Sequence, residues 1–291
     1  MSVHVTAEVL MTKRIGAHQH LTLVAPGVGE LVRPGSFLAA SIGRPGEATA
    51  HLARRPLWIH KVQPMAGYGA TVQVVVEPVG PGTRWLAGLA VGDRLDVTGP
   101  LGRPFALPRE PVATLLVGEA HGVAALQLLA ERLHERGCPV SLLLGAPDEA
   151  RLLPDLELRR TARSVVVVTA DGSVGQRGDV ADLVGETLRR SEAQVVYAAA
   201  GLPALHAVAR AAEEHGAWSQ TAVAMPLPCA TGLCQGCPLP VVAEDGVQRT
   251  VRGCVEGPVV RGDRVRWDDL RAQAAAVPGP VGSAGRAGTR P

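Results

Sequence analysis

The chain has 291 residues, 46% hydrophobic composition and a formal net charge of only +2. That length can bury a large core and points to two domains with an appendage, while the near-balanced charge and scattered arginines exclude the basic stripe of a nucleic-acid binder. The opening residues MSVHVTAEVLMTKRIG hold no apolar run suited to a signal peptide, and nothing approaches the ~20 apolar residues of a membrane span, so a cytoplasmic protein without a membrane partner is expected.

Residues 1–108 carry short β-like runs, His20–Val24, Phe37–Ile42, Leu57–Val62, Thr71–Val76 and Arg94–Thr98, broken by Pro and Gly turns. This spacing predicts a small antiparallel barrel. Within it, Arg54 and Arg55 precede Pro56 at a strand start. A planar guanidinium there can fork onto a diphosphate, although paired arginines at a strand edge also read as solvated residues. Two glycine turns follow, VGPGT at Val79–Thr83 and GPLGRPF at Gly99–Phe105. Their amides can approach phosphate oxygens or a flavin edge, with plain turn chemistry as the alternative.

From residue 109 to 218 apolar strands alternate with helical stretches. The strands are Val112–Val117, Val140–Leu144, Ser164–Thr169 and Gln194–Ala198; the helices include Val123–Arg136, Asp179–Arg190 and Pro203–Glu214. A parallel, Rossmann-like α/β sheet is the expectation. Cys138, alone between a helix and a strand, reads as packing.

Residues 219–270 contain Cys229, Cys234, Cys237 and Cys254 in the spacing C-x4-C-x2-C-x16-C, with Gly232 and Gly236 inside the loop. Three close cysteines and a distant fourth follow the plant-type ferredoxin order, in which four thiolates hold a [2Fe–2S] cluster while backbone amides face the sulfides. Structural zinc is the alternative, but zinc ribbons more often present two separated C-x2-C pairs. Disulfides rank third, because a reducing cytosol keeps thiols free. Residues 271–291 are small, Gly- and Pro-rich, and read as a disordered tail. Nine histidines show no metal spacing, and no G-x-S-x-G elbow or P-loop is present, so no catalytic residue is assigned.

Arg-Arg-Pro, then Gly-x-Gly-Thr, then Gly-Pro-Leu-Gly, then an α/β domain and the cysteine loop together resemble the electron-transfer subunit of bacterial dihydroorotate dehydrogenase, within the ferredoxin-reductase-like flavoproteins. The resemblance implies FAD in the barrel, NADH on the α/β domain, and a [2Fe–2S] cluster passing electrons to a catalytic dihydroorotate dehydrogenase flavoprotein in a hetero-oligomer serving pyrimidine biosynthesis. It places flavin contacts on Arg55, Pro56, Leu57, Trp58, Gly82, Thr83, Gly99, Pro100, Leu101 and Gly102, and metal ligands on the four cysteines. The DGSVGQRG segment, Asp171–Gly178, also matches.

Three departures weigh against a full carry-over. The family's Arg-Pro-x-Ser has Trp58 for its serine, able either to stack on a flavin ring or to fill its place. Its Gly-Gly-Gly-Ile-Gly nucleotide loop reads Gly118-Glu119-Ala120-His121-Gly122, which sets a carboxylate where a pyrophosphate would dock. Its Cys-Gly-Pro segment aligns with Ala199-Ala200-Gly201, without the thiol. A non-catalytic scaffold or assembly subunit that keeps the metal module, or a reductase subunit of another oxidoreductase, are the competing expectations.

Overall fold

A computed structural model describes residues 2–46, 52–65, 69–153 and 156–276. Six strands close into an antiparallel barrel in the order β1-β2-β5-β4-β3-β6, formed by β1 (Val3–Ile15), β2 (His18–Val24), β3 (Phe37–Ala40), β4 (Arg55–Met65), β5 (Gly69–Val76) and β6 (Arg94–Leu101). Alternation along each strand sends one set of side chains inward. Leu21, Leu23, Leu38, Ile59, Val72, Val74, Leu95 and Val97 fill the interior. The opposite faces of β2, β4 and β5 pack on the next domain, which is why His18, His20 and His60 are buried although they lie outside the barrel core.

Strand β1 was not anticipated. Its exposed positions outnumber its buried ones, Leu10 and Met11 are solvent-facing, and a bulge interrupts its pairing between Val9 and Met11.

The second domain is a seven-stranded sheet in the order β10-β9-β8-β7-β11-β12-β15. Its members are β7 (Thr114–Glu119), β8 (Val140–Ala146), β9 (Ser164–Thr169), β10 (Gln176–Arg177), β11 (Val195–Ala200), β12 (Trp218–Val223) and β15 (Val259–Arg261). All pairings are parallel except β12 with β15. One face packs on the helix Gln127–Glu135 and on the barrel through Val75 and Phe105; the other packs on the helices Val180–Ser191, Leu202–Glu214 and Trp267–Ala276. Cys138 sits in the first of these cores.

Between β12 and β15 the chain leaves the sheet, makes the cysteine loop and a hairpin of β13 (Pro238–Val242) with β14 (Gln248–Arg252), and returns. The boundary expected after residue 218 therefore falls inside β12. The helix Trp267–Ala276 likewise runs past residue 270 into the stretch expected as tail, with Leu270 buried and Trp267 bonded through its indole N–H to the Gly262 carbonyl at 3.0 Å. Residues 277–291 lie outside the described residues. Among the described residues no helix is long and apolar enough to cross a membrane.

Candidate functional site

The cysteine loop is held from both sides. The backbone N–H of Arg54 donates to the Pro228 carbonyl at 2.9 Å, and that of Arg103 to the Gly257 carbonyl at 2.6 Å, so the residue just before barrel strand β4 and the segment just after β6 clamp the module. Ala230, Gln235 and Gly232 adopt left-handed conformations, with φ of 61°, 55° and 85°. Such turns bring successive N–H groups onto one side of the chain and make an anion-binding concavity. The N–H of Cys234 approaches Cys229 Sγ at 3.4 Å, and that of Gly236 approaches Cys234 Sγ at 3.3 Å.

The four thiols form two pairs. Cys237 and Cys254 are both buried, with sulfurs 3.4 Å apart; Cys229 and Cys234 lie nearer the surface, Cys234 exposed. A tetrahedral metal with bonds of about 2.3 Å holds two ligand sulfurs about 3.8 Å apart, so the buried pair has the span of one metal's edge. Among the described residues no three metal-ligating side chains converge on one point. Two-by-two placement suits two irons bridged by sulfide, each taking one cysteine pair, and the inward amides suit the charge of such a cluster.

The pairs differ electrostatically. Burial opposes ionisation of Cys229, but the amides of Cys234 and Thr231 outweigh it and bring the thiol down to about 6. Burial, then the hydrogen bond and charge of Cys237, push Cys254 up to about 12. Metal binding reverses the latter, since a bound thiol is deprotonated outright.

Beside this module lies a cleft of ≈ 180 Å³, open to solvent and walled by the barrel, the α/β domain and the cysteine module. Its barrel wall includes Phe37, Pro56, Leu57 and Trp58, while Val223, Met225 and Leu227 close the far side. Phe37 and Leu227 also pack with Cys237 and Cys254, with Trp58 and Met225 at the margin of the same cluster. The cleft and the buried cysteine pair thus share one layer of side chains. Trp58 meets Phe37 edge to face, centroids 6.3 Å apart at 83°, which leaves its indole as part of the wall.

Arg55 and Gly82 are brought together. A Cβ on Gly82 would stand 2.7 Å from Arg55 Nε, so only a bare α-carbon admits the guanidinium over this turn. Arg55 is anchored by Nη1 donating to the Ala53 carbonyl at 2.8 Å, which leaves the rest of its fork for an anion. Thr83 lines the cleft, yet its hydroxyl accepts from the Gly80 N–H at 2.9 Å and donates to the Gly80 carbonyl at 3.2 Å. The Gly99–Gly102 turn is placed elsewhere. A Cβ at Gly99 would strike Leu38 and one at Gly102 would strike Phe37 and Pro258, so these glycines permit close packing of β6 on β3 and on the cysteine module. Pro100 and Leu101 continue that packing strand. The apolar walls and the Arg55 cradle fit a flavin with a diphosphate.

The nucleotide crevice is different. Strand order reverses between β7 and β11, the position at which open α/β sheets receive ligands beyond their strand ends. There Glu119 Oε2 accepts the Gly201 N–H at 2.9 Å. The carboxylate spans the crevice and occupies the amide that opens the helix Leu202–Glu214. Ala120 takes a left-handed φ of 47°, and residues Ala120–Ala125 coil as a 3-10 helix ahead of the α-helix. Gly122 lies directly on the next strand, since a Cβ there would come within 2.3 Å of the Ala199 carbonyl. These residues do not fit a dinucleotide.

Two cleft residues had no assignment from sequence. Glu77, which follows β5, carries Oε2 3.4 Å from His121 Nδ1 and Oε1 3.3 Å from Arg151 Nε. His121 stood out only as the histidine of the altered loop; nothing local marked Glu77, whose partners come from other elements.

Residues 227–266 match the family model of the iron–sulfur cluster binding domain of dihydroorotate dehydrogenase B. Over 247 residues the chain is 36% identical to the electron transfer subunit of dihydroorotate dehydrogenase B (NAD(+)) from Bacillus velezensis, covering 81% of this chain and 90% of the relative. The Desulforamulus reducens subunit of the same name is 29% identical over 84% of this chain and 90% of its own. Among solved structures, an NADH-dependent reduced ferredoxin–NADP oxidoreductase described for flavin-based electron bifurcation superposes with a TM-score of 0.78 at 28% identity, covering 93% of each chain. The ferredoxin reductase of carbazole 1,9a-dioxygenase, at 21% identity, 74% of this chain, 67% of its own and a TM-score of 0.61, shares the fold.

Proposed function

The chain belongs to the family of electron-transfer subunits of dihydroorotate dehydrogenase B, and we propose that it conducts electrons between FAD in the cleft, a [2Fe–2S] cluster on Cys229, Cys234, Cys237 and Cys254, and a catalytic dihydroorotate dehydrogenase subunit in pyrimidine biosynthesis. The observation that carries this reading is the shared wall: Phe37 and Leu227 line the cleft and belong to the same packed cluster as the buried cysteine pair. Bound there, FAD would exchange electrons in pairs and the cluster singly.

The polypeptide's work is placement. Arg55 over Gly82 holds the diphosphate, Pro56, Leu57 and Trp58 flank the ring, and Gly99–Gly102 keeps barrel and cysteine module in register. Residues 1–108 form the flavin part, 109–218 the α/β part and 219–270 the cluster part, with β12 and β15 tying the last to the sheet. Keeping these four cysteines unbridged for a cluster calls for a reducing compartment, which supports a cytoplasmic site. The partner is a second protein, joined in a hetero-oligomer, because a cluster at a surface loop needs an acceptor or donor close by.

At the flavin end the redox partner is other than a dinucleotide docked between β7 and β11. The Glu119–Gly201 bond favours this, since a pyrophosphate there would meet a carboxylate and find the helix amide taken.

Anaerobic purification tests the reading. About two iron and two acid-labile sulfide per chain are expected, with stoichiometric FAD. Zinc without iron would overturn the cluster. Protein that cannot be reconstituted with FAD would overturn the flavin site and leave a metal-bearing scaffold. A chain that never co-purifies with the catalytic subunit, and exchanges no electrons with it, would overturn the partner.

A further inference from the structure

Among the described residues, Glu77 and His121 are the two titratable side chains in the lining of an otherwise largely apolar cleft. They come from different domains, Glu77 from the end of a barrel strand and His121 from the loop after β7, and meet with Oε2 3.4 Å from Nδ1. Burial differs sharply between them: the Glu77 side chain is 15% exposed and that of His121 is 50% exposed. One end of the pair is therefore sheltered and the other reaches solvent.

The surroundings fix the pair in place. Arg151, from the turn Glu149–Arg151, holds the other carboxylate oxygen at 3.3 Å and is itself paired with Asp148. Behind Glu77 stands His18 of β2, fully buried, with neither ring nitrogen hydrogen-bonded among the described residues. The bond from His121 holds the Glu77 carboxyl below its ordinary range, against the opposing effect of burial. Burial in turn holds His18 below the ordinary imidazole value, outweighing the attraction of Glu77. The groups facing Glu77 are thus His121, Arg151 and a His18 that burial keeps from charging, and the carboxylate is ionised and available to the His121 ring.

Resting on the FAD reading, we propose that His121, positioned by Glu77, is the proton carrier of the cleft. The balance demands one. A reduced flavin anion that gives up two electrons singly to an iron–sulfur cluster returns to the oxidised ring with loss of one proton; reduction by single electrons takes that proton up. Electrons leave through the wall of Phe37 and Leu227, but a proton cannot follow them to the cluster. With Nδ1 on Glu77, His121 Nε2 takes the proton from the cleft, the carboxylate steadies the resulting imidazolium, and the half-exposed ring delivers the proton to water. Thr83, the other hydrogen-bonding group of the barrel wall near this edge, has its hydroxyl committed to Gly80. In this chain the histidine that stands at the isoleucine of the family's loop has a task of its own.

The test uses the chain loaded with FAD and cluster, photoreduced anaerobically in weak buffer and mixed with ferricyanide, with a pH-indicator dye reporting proton release and 450 nm absorbance reporting flavin. His121→Gln is expected to slow proton release by on the order of 100-fold, the span of general acid–base effects, and added imidazole should restore it. Glu77→Gln, which leaves the ring without its carboxylate partner, should slow release as well, with added imidazole restoring it. Release from His121→Gln at the parent rate with an unchanged profile, or slowing that imidazole does not rescue, would overturn the proposal while leaving FAD binding intact. Protein without bound flavin would remove the FAD reading, and this proposal with it.

Discussion

The cysteine side and the nucleotide side of this molecule have been treated in opposite ways. At the first, close approaches open space or donors for a guest: left-handed turns aim amides at Cys229 and Cys234, and Gly82 yields its side chain to Arg55. At the second, the chain supplies its own guest. Glu119 bonds the amide at Gly201, and Gly122 lies against Ala199 with no space between. A shared scaffold therefore does not carry a shared set of ligands, and each site has to be argued from its own atoms.

The comparison breaks most severely at the cysteines. Cys254→Ser or Cys237→Ser should lower iron from about two per chain to near zero, because the buried pair has no substitute ligand. Metal analysis and the visible spectrum check this. Cys138→Ser, in the α/β core, should leave iron unchanged.

Next in size is the flavin cradle. Arg55→Ala removes the cation over Gly82 and should weaken FAD about 10- to 100-fold, as expected for a charge-assisted hydrogen bond of roughly 1.5–3 kcal/mol. Gly82→Val should do the same by displacing the guanidinium, which titration of flavin fluorescence would show.

The nucleotide side should respond in the reverse direction. Glu119→Gly with Ala120→Gly frees the Gly201 amide and should improve NADH affinity by about tenfold, the worth of removing one repulsive charge. The two changes oppose each other in stability. Losing the carboxylate at a helix N-terminus costs about 0.5–1 kcal/mol, whereas glycine at the left-handed position 120 relieves about 1 kcal/mol. Urea midpoints of the single and double variants separate these effects.

The smallest effect concerns the interface behind the cleft. The His18 value is lowered by burial, so below an ordinary imidazole value of 6.5 the unfolded chain binds a proton that the folded chain resists. Stability contributed by neutral His18 is full above that value and falls as pH drops through it. The depressed Glu77 acts in the same sense at lower pH, its contribution being lost as pH falls below 4.5 toward the folded value. Denaturant midpoints should decline from pH 7.5 to 5.5, and His18→Leu should flatten that decline.

What was legible in the sequence follows from how local each signal is. Four cysteines, three within one loop and the fourth in the short helix Gly253–Glu256 after the hairpin, announce themselves by spacing, and the barrel and sheet show through the alternation of their strands. Glu119 was suspect as an acid in a glycine loop, but its partner Gly201 follows β11, the strand paired with β7. Glu77 was silent because its meaning depends on His121, Arg151 and His18, drawn from three other elements. Strand β1 hid behind exposed apolar residues, and β12 behind its nearness to the cysteines. The role read into Gly99–Gly102 came from glycine-turn chemistry and from resemblance together; the Cβ positions of Gly99 and Gly102 face Leu38, Phe37 and Pro258.

The contrast between an intact conducting half and a self-filled nucleotide half is tested most directly by one reductive titration. The chain carrying FAD and cluster is mixed anaerobically either with micromolar NADH or with the catalytic dihydroorotate dehydrogenase subunit plus dihydroorotate, and the flavin and cluster absorbances are followed together. Reduction of both centres through the catalytic subunit, with little or none by NADH, is the expected result. Rapid reduction by micromolar NADH, with no response to the catalytic subunit, would contradict it.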